Sequence, residues 1–394
     1  MNLAFILRKY RSRGYTLEQS LAELADNSIT HNAKNIWTHM YWSDDQGKDS
    51  FIMVVDDGDG MSKDELLNRA LNIPKDEHAD KGENDHSVYG LGLKAGSFNH
   101  CTSITIITKK DELIKKTLNL KDGITDNMPS CIEHKFVKKH LEDLNSRKSG
   151  TIVLWSDLDN LTKLRASERG PNFYEDCDKT KKHFKLIYHK YLLENKINLF
   201  FNGTEEVNKT KKFDPFYKDN PNTIILPGSE ISFLKGGTTK ITPYIIPIDT
   251  TNENLGKSRN ELQGLYFLRK NRVIDYGGWF GLGEKNADKF WGTSERFNRL
   301  RIEIEIPIET SKDWITDSKN QVNIPGYAYS KIRKCLIQIR KDYLEKINLM
   351  NSENKQPINE TSKKKNELIR ILRNSVLNEE ELVKIKKSIK ELNE

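Results

Sequence analysis

The spacing of apolar positions changes period several times along the chain. Leu21, Leu24 and Ala25 recur at helical spacing. They predict a helix over residues 15–40, with Thr16 as its cap and Glu18 in its first turn. Residues 36–41, which overlap the end of that span, and residues 51–55 are short apolar runs that read as strands. Residues 72–87 are polar and contain glycine, the composition of a mobile loop. A helix is expected from about Gly92, and residues 103–108 and 151–155 are β-rich again. Helix, strand, strand, loop, helix, strand, strand is the order of an α/β sandwich with a mixed sheet, not of a doubly wound sheet.

A second amphipathic helix is predicted over residues 178–195, and a new segment from about Lys196. Asn202-Gly203 is a hairpin signal, and strands are expected within 241–249, 264–274 and 299–307, before a long helix over 327–349. The domains this suggests are residues 1–195, residues 196–350 and a tail, 351–394. The tail opens with a linker composition and closes with two short charged helices. No internal repeat is evident.

Composition adds limits. The chain has 394 residues, enough for two domains, with 36% hydrophobic and 31% charged residues. It can bury a core. The net charge of +7 comes from 64 basic and 57 acidic residues. That mild excess permits nucleic-acid contact without arguing for it. Cys101, Cys131, Cys177 and Cys335 are far apart and form no Cys-x-x-Cys pair, so free thiols are expected rather than a zinc site or a disulfide framework. No apolar run has the length of a membrane span, and the opening residues turn basic too soon for a secretory signal. The expectation is a cytoplasmic protein with no membrane partner.

Four segments carry candidate chemistry. In Glu23-Leu24-Ala25-Asp26-Asn27, Glu23 and Asn27 are four apart and share a helix face. A carboxylate there can deprotonate water, and an amide oxygen beside it can ligate Mg²⁺. Alone, the pair is ordinary solvated helix surface. In Val55-Asp56-Asp57-Gly58-Asp59-Gly60-Met61, a strand runs into an acidic, glycine-rich turn. A carboxylate there can accept from an exocyclic amine such as that of adenine, with Gly58 and Gly60 admitting a flat ring. Calcium-loop spacing is absent. In Tyr89-Gly90-Leu91-Gly92-Leu93-Lys94-Ala95-Gly96-Ser97, glycines precede a helix, an arrangement that can cradle phosphates, and Lys94 adds a cation. The Gly-Lys-Ser/Thr ending of a P-loop is missing, and Gly-Leu-Gly at 281–283 is a decoy of the same form. In Ser149-Gly150-Thr151, a hydroxyl opens a buried strand at the base of a pocket.

Together, in this order, the four segments resemble the GHKL ATPases, the superfamily of gyrase B, heat-shock chaperones, histidine kinases, MutL and MORC. The likeness is greater to MORC-like and MutL-like proteins, in RGYTLEQSLAELADNS and YGLGLKAGSF. It extends to residues 264–279, which resemble the central hairpin of the transducer domain, and to residues 313–322, which resemble the loop that returns a lysine to the γ-phosphate. The resemblance implies a two-layer α/β sandwich ATPase domain, an α/β transducer domain of ribosomal S5 type and a short helical tail. It implies ATP and Mg²⁺ as cofactors, Glu23 as general base, Asn27 as the metal ligand and Asp56 on the adenine amine. Met61 and Thr151 would line the base pocket. Gly90, Leu91, Gly92, Leu93 and Lys94 would hold phosphates, with Lys319 reaching the γ-phosphate and Lys75 a second cation in the lid, residues 72–89. Two departures stand out: Thr30-His31 replaces the usual acidic-Ala pair, and the arm before Tyr15 is short.

The function implied is an ATP-gated homodimer that hydrolyses ATP slowly and works on DNA, or with a separate effector protein, in the manner of bacterial anti-phage defence. A non-hydrolysing ATP-sensing adaptor and a chaperone-like ATPase are the alternatives. A histidine kinase is disfavoured, because fourteen residues precede Tyr15 and the first histidine is His31.

Overall fold

The computed structural model describes residues 11, 15–43, 49–72, 92–159, 161, 169–250, 255–280, 294–316 and 321–353. The chain falls into two compact units, residues 1–336 and 337–394.

The first sheet is mixed, in the order β5-β4-β3-β6-β2-β1-β7. Its strands are β1 (Asn35–Tyr41), β2 (Phe51–Asp56), β3 (Ser103–Lys109), β4 (Leu113–Asn119), β5 (Gly123–Thr125), β6 (Gly150–Ser156) and β7 (Asn198–Phe201). Only β1 and β7 pair in parallel; the other neighbours are antiparallel. Strand alternation sorts the side chains. Ile52, Val54, Ile104, Ile106, Val153 and Trp155 pack with helix α1 (Leu17–Thr30), α2 (Gly92–Phe98) and α4 (Arg169–Ile187) in one core. Phe51, Met53, Val55, Ile107, Ile152 and Leu154 turn to the other face, where Val137 and Leu144 of α3 (Lys135–Ser146) cover them. The mixed α/β fold is as expected, with α3 added on the second face.

Helix α1 is shorter than predicted. It begins after Thr16, whose N–H donates to the Gln19 side chain at 3.0 Å. It ends at Thr30, because Asn32 takes a left-handed conformation with φ of 63° and Asp57 Oδ1 accepts the N–H groups of both Lys34 and Asn35 at 2.8 Å. Those long-range bonds pull residues 35–40 into β1, so the helical reading beyond residue 30 is corrected. The hairpin expected at Asn202-Gly203 is also corrected. Asn202 does turn the chain, with φ of 53°, but the return is longer and makes a single bridge, Phe200 to Lys209. Strand β7 instead joins the first sheet beside β1.

The second sheet has the order β12-β11-β13-β10-β8, with β9 on β10. Its strands are β8 (Ile224–Ile225), β9 (Ser229–Ser232), β10 (Thr238–Ile245), β11 (Gly264–Arg269), β12 (Arg272–Tyr276) and β13 (Leu300–Glu305). The remaining helices are α5 (His189–Leu193), α6 (Arg259–Leu262), α7 (Ser311–Trp314) and α8 (Gly326–Glu353). Among the described residues no helix is long and apolar enough to cross a membrane.

Candidate nucleotide site

Three strand ends meet under α1. In the antiparallel register Asp56 of β2 faces Thr151 of β6, and Thr151 faces Thr108 of β3. Directly opposed residues point to the same side of a sheet. All three therefore continue the stripes of Val54, Val153 and Ile106 and lie on the α1 face, at the edge of the apolar core.

Asp56 is 9% exposed. Its Oδ2 accepts the Ser28 hydroxyl of α1 at 2.8 Å, and its Oδ1 accepts the Gly58 N–H at 3.0 Å. Burial pushes its carboxyl up to about 6, against the opposing effect of those two hydrogen bonds. The carboxylate is still mostly ionised at neutral pH, and carries lone pairs that an adenine amine can use. Thr108 Oγ1 lies 3.1 Å from both Gly150 O and Thr151 Oγ1, and it accepts the Met61 N–H at 2.9 Å. This knot fixes Thr151 beside Asp56. It also holds Met61, whose side chain packs against the core under α1.

The two turn glycines serve the protein's own backbone. Gly60 has φ of 69°, and a Cβ there would lie 1.9 Å from Lys109 O. A Cβ on Gly58 would lie 2.5 Å from His31 O. Only glycine fits either position, so the loop can close onto the β3 end and the α1 C-terminus. Asp59 N–H donates to His31 O at 2.9 Å, and the Asn32 amide donates to Asp59 at 2.7 Å.

Glu23 is buried on α1, at 3% exposure, and Asn27 is half-buried one turn later. Both therefore lie on the helix that also supplies Ser28 to Asp56. The donor chemistry fits Mg²⁺, a hard cation taking carbonyl and carboxylate oxygens.

Helix α2 packs across α1, with Gly96 close enough that a Cβ would lie 3.3 Å from Ser20 Cα. Leu93 packs against the core. Gly92 begins the helix. Lys94 is not displayed toward a ligand. It is 2% exposed, and its ammonium donates to the carbonyls of Arg69, Ala70 and Asn72 at 3.1, 3.0 and 2.7 Å. It thereby caps a π-helical turn, Glu65–Ala70, with all three protons engaged. Burial lowers its pKa to about 8. Lys75, Gly90, Leu91 and Lys319 lie outside the described residues. The segments flanking the Lys319 stretch are fixed, however. Ile315 bridges Val322, and the Val322 N–H donates to Asp275 of β12 at 3.2 Å.

Reading the sequence missed Ser28, Thr108 and the ion pair of Asp26 with Arg272, whose Nε is 2.8 Å from Asp26 Oδ1. Ser28 had a local signal, being the next residue after Asn27. Thr108 and Arg272 had none, since their roles come from strand register and sheet packing.

Residues 15–151 match the family described as histidine kinase-, DNA gyrase B-, and HSP90-like ATPase. The ATPase morc-1 of Caenorhabditis elegans is 31% identical over 99 residues, 25% of this chain and 11% of that protein. The DNA mismatch repair protein MutL of Clostridium beijerinckii is 25% identical over 126 residues, 31% of this chain and 18% of that protein. The chain thus spans under a fifth of either relative's length. A solved structure, the N-terminal domain of a DNA repair protein, superposes with a TM-score of 0.52 at 16% identity, over 87% of this chain and 99% of that one. At that identity it speaks for the fold alone. Residues 15–151 are thus similar to the histidine kinase-, DNA gyrase B-, and HSP90-like ATPase domain, and parts of the chain are similar to MORC and MutL proteins.

Proposed function

We propose that this protein binds Mg²⁺-ATP beneath α1 and hydrolyses it slowly. The observation that carries this reading is the Ser28–Asp56 hydrogen bond. It ties the carboxylate suited to adenine to the helix that bears Glu23 and Asn27. Asp56 accepts the adenine amine, while Met61 and Thr151 bound the ring. Glu23, held in a dry environment, takes the proton of an attacking water. Asn27 ligates Mg²⁺, which when bound neutralises phosphate charge. Gly90, Leu91, Gly92 and Leu93 hold the phosphates. Lys94 caps the Glu65–Ala70 turn beside the site, and Lys75 and Lys319 supply cations to the phosphates.

Residues 1–195, together with β7, form the ATPase domain, and residues up to about 350 the transducer. ATP brings two copies together, and hydrolysis releases them. The likeness to a DNA mismatch repair protein supports work on DNA; we read that work as cytoplasmic, done directly or through a separate effector, and of the kind used in anti-phage defence. Phosphate release tests this. Mg²⁺-dependent turnover by the wild type, lost in Glu23→Ala, is expected, and equal rates would contradict it. Sizing with and without a non-hydrolysable ATP analogue tests the dimer: a monomer in both states contradicts gating.

A further inference from the structure

Arg272 belongs to β12, an edge strand of the second sheet, yet its guanidinium reaches α1 of the first. Its Nε donates to Asp26 Oδ1 at 2.8 Å. The Tyr188 hydroxyl, between α4 and α5, lies 2.9 Å from the same oxygen and 3.0 Å from Ala22 O. All three side chains are buried: Arg272 is 5% exposed, Asp26 1% and Tyr188 0%.

A buried ion pair is an expensive way to hold two elements together. Apolar residues of similar volume often do as well or better. What the pair adds is direction. The contacts fall on Ala22 and Asp26, one turn apart on α1. The candidate chemistry sits at Glu23 and Asn27, each one position further on. The two stripes are neighbours on one rigid helix, so pinning the first sets where the second faces. At a side-chain radius of about 5–6 Å, a rotation of about 10° moves a carboxylate by about 1 Å, a misplacement that can cost on the order of 100-fold in rate. The same strand holds the base of the Lys319 stretch, through Asp275 and Val322.

We propose that Arg272 is a positioning residue of the nucleotide site: the second sheet, through the Arg272–Asp26–Tyr188 clamp, sets the rotation of α1 and so aims Glu23 and Asn27. The proposal rests on reading Glu23 as the general base. It makes the second sheet a requirement for turnover and not only for stability.

The test compares wild type with Arg272→Met, Arg272→Lys and the double variant Asp26→Asn/Arg272→Met, measuring melting temperature, KM for ATP and kcat in the full chain. The single Met variant strands a buried carboxylate and is expected to melt early. The double variant removes both charges, so it keeps the experiment decisive where the single variant fails to fold. Its expected signature is a melting temperature near wild type, a KM within about threefold and a kcat at least tenfold lower. Arg272→Lys keeps a cation without the planar fork and falls between the two. A double variant with wild-type kcat overturns the proposal. So does a series in which kcat merely follows melting temperature. The wild-type rate and its loss in Glu23→Ala, read in parallel, report on the ATPase reading itself. A wild type without turnover removes that reading, and the role of Arg272 with it.

Discussion

The Ser28 hydroxyl donates to Asp56 Oδ2 at 2.8 Å and stands 3.2 Å from Leu24 O. One hydroxyl thus has two acceptors within reach. Asp56→Asn can use this: its amide would donate to Ser28 Oγ while Ser28 turns to Leu24 O, and its oxygen would keep the Gly58 N–H. Burial raises the Asp56 carboxyl from 3.8 to about 6. A raised carboxyl stabilises the fold at acid pH and gives that up as pH rises through 6, so at neutral pH the ion is a cost. Asp56→Asn is therefore expected to stabilise the nucleotide-free protein by roughly 1–3 kcal/mol at pH 7, measured by urea unfolding, while weakening ATP binding at least tenfold.

The same carboxylate predicts a pH dependence of binding. Protonation places a hydrogen on one carboxyl oxygen and weakens the other as an acceptor for the adenine amine, so ATP affinity should fall as pH drops from 7 through 6. Titrations at pH 7.5, 6.5 and 5.5 check this. A flat profile in the wild type, or one that persists in Asp56→Asn, contradicts the assignment.

His39 of β1 and His140 of α3 meet behind the first sheet, with their Nε2 atoms 2.7 Å apart. Burial first pushes them down to about 3 and about 4, with the facing His140 and Lys139 adding to the effect at His39, and Arg147 and Lys139 at His140. Both are neutral in the fold but bind protons near 6.5 when unfolded. Their contribution is intact above pH 6.5 and is lost as pH falls toward 4, at about 1.4 kcal/mol per group per pH unit. Unfolding free energies at pH 7 and 5 should drop less steeply in His39→Gln/His140→Gln than in the wild type. Identical slopes would contradict the burial argument, since the other histidines are common to both proteins.

Lys94 gives a prediction that separates a structural role from a phosphate contact. With three carbonyls on its ammonium, Lys94→Met strands them and should cost about 2–4 kcal/mol without nucleotide. A variant of unchanged stability with ATP affinity alone reduced would favour direct phosphate contact.

Much of the site was legible locally. Strand-to-turn transitions marked Asp56 and Thr151, and helical spacing put Glu23 and Asn27 on one face. The overlap at residues 36–40 was resolved by Asp57, whose bonds to Lys34 and Asn35 override helical propensity from over twenty positions away. Strand β7 pairs with β1 across more than 160 positions, which no window around Asn202-Gly203 reveals. Helix α3 was a different failure. Val137, His140, Leu141 and Leu144 have helical spacing, and the pattern was there to read. The carbonyl contacts of Lys94 were not legible, because its sequence position beside glycines gives no sign that its ammonium folds back on the Glu65–Ala70 turn.

An ATP site closed by Asp56, Thr151 and α1 is tested most directly by calorimetric titration of the full chain with Mg²⁺-ATP and Mg²⁺-GTP. The expected result is one saturable site per chain, ATP at least tenfold preferred over GTP because guanine offers a carbonyl where adenine offers an amine, and loss of that preference in Asp56→Ala. No saturable binding of ATP, or equal binding of both nucleotides by the wild type, would contradict it.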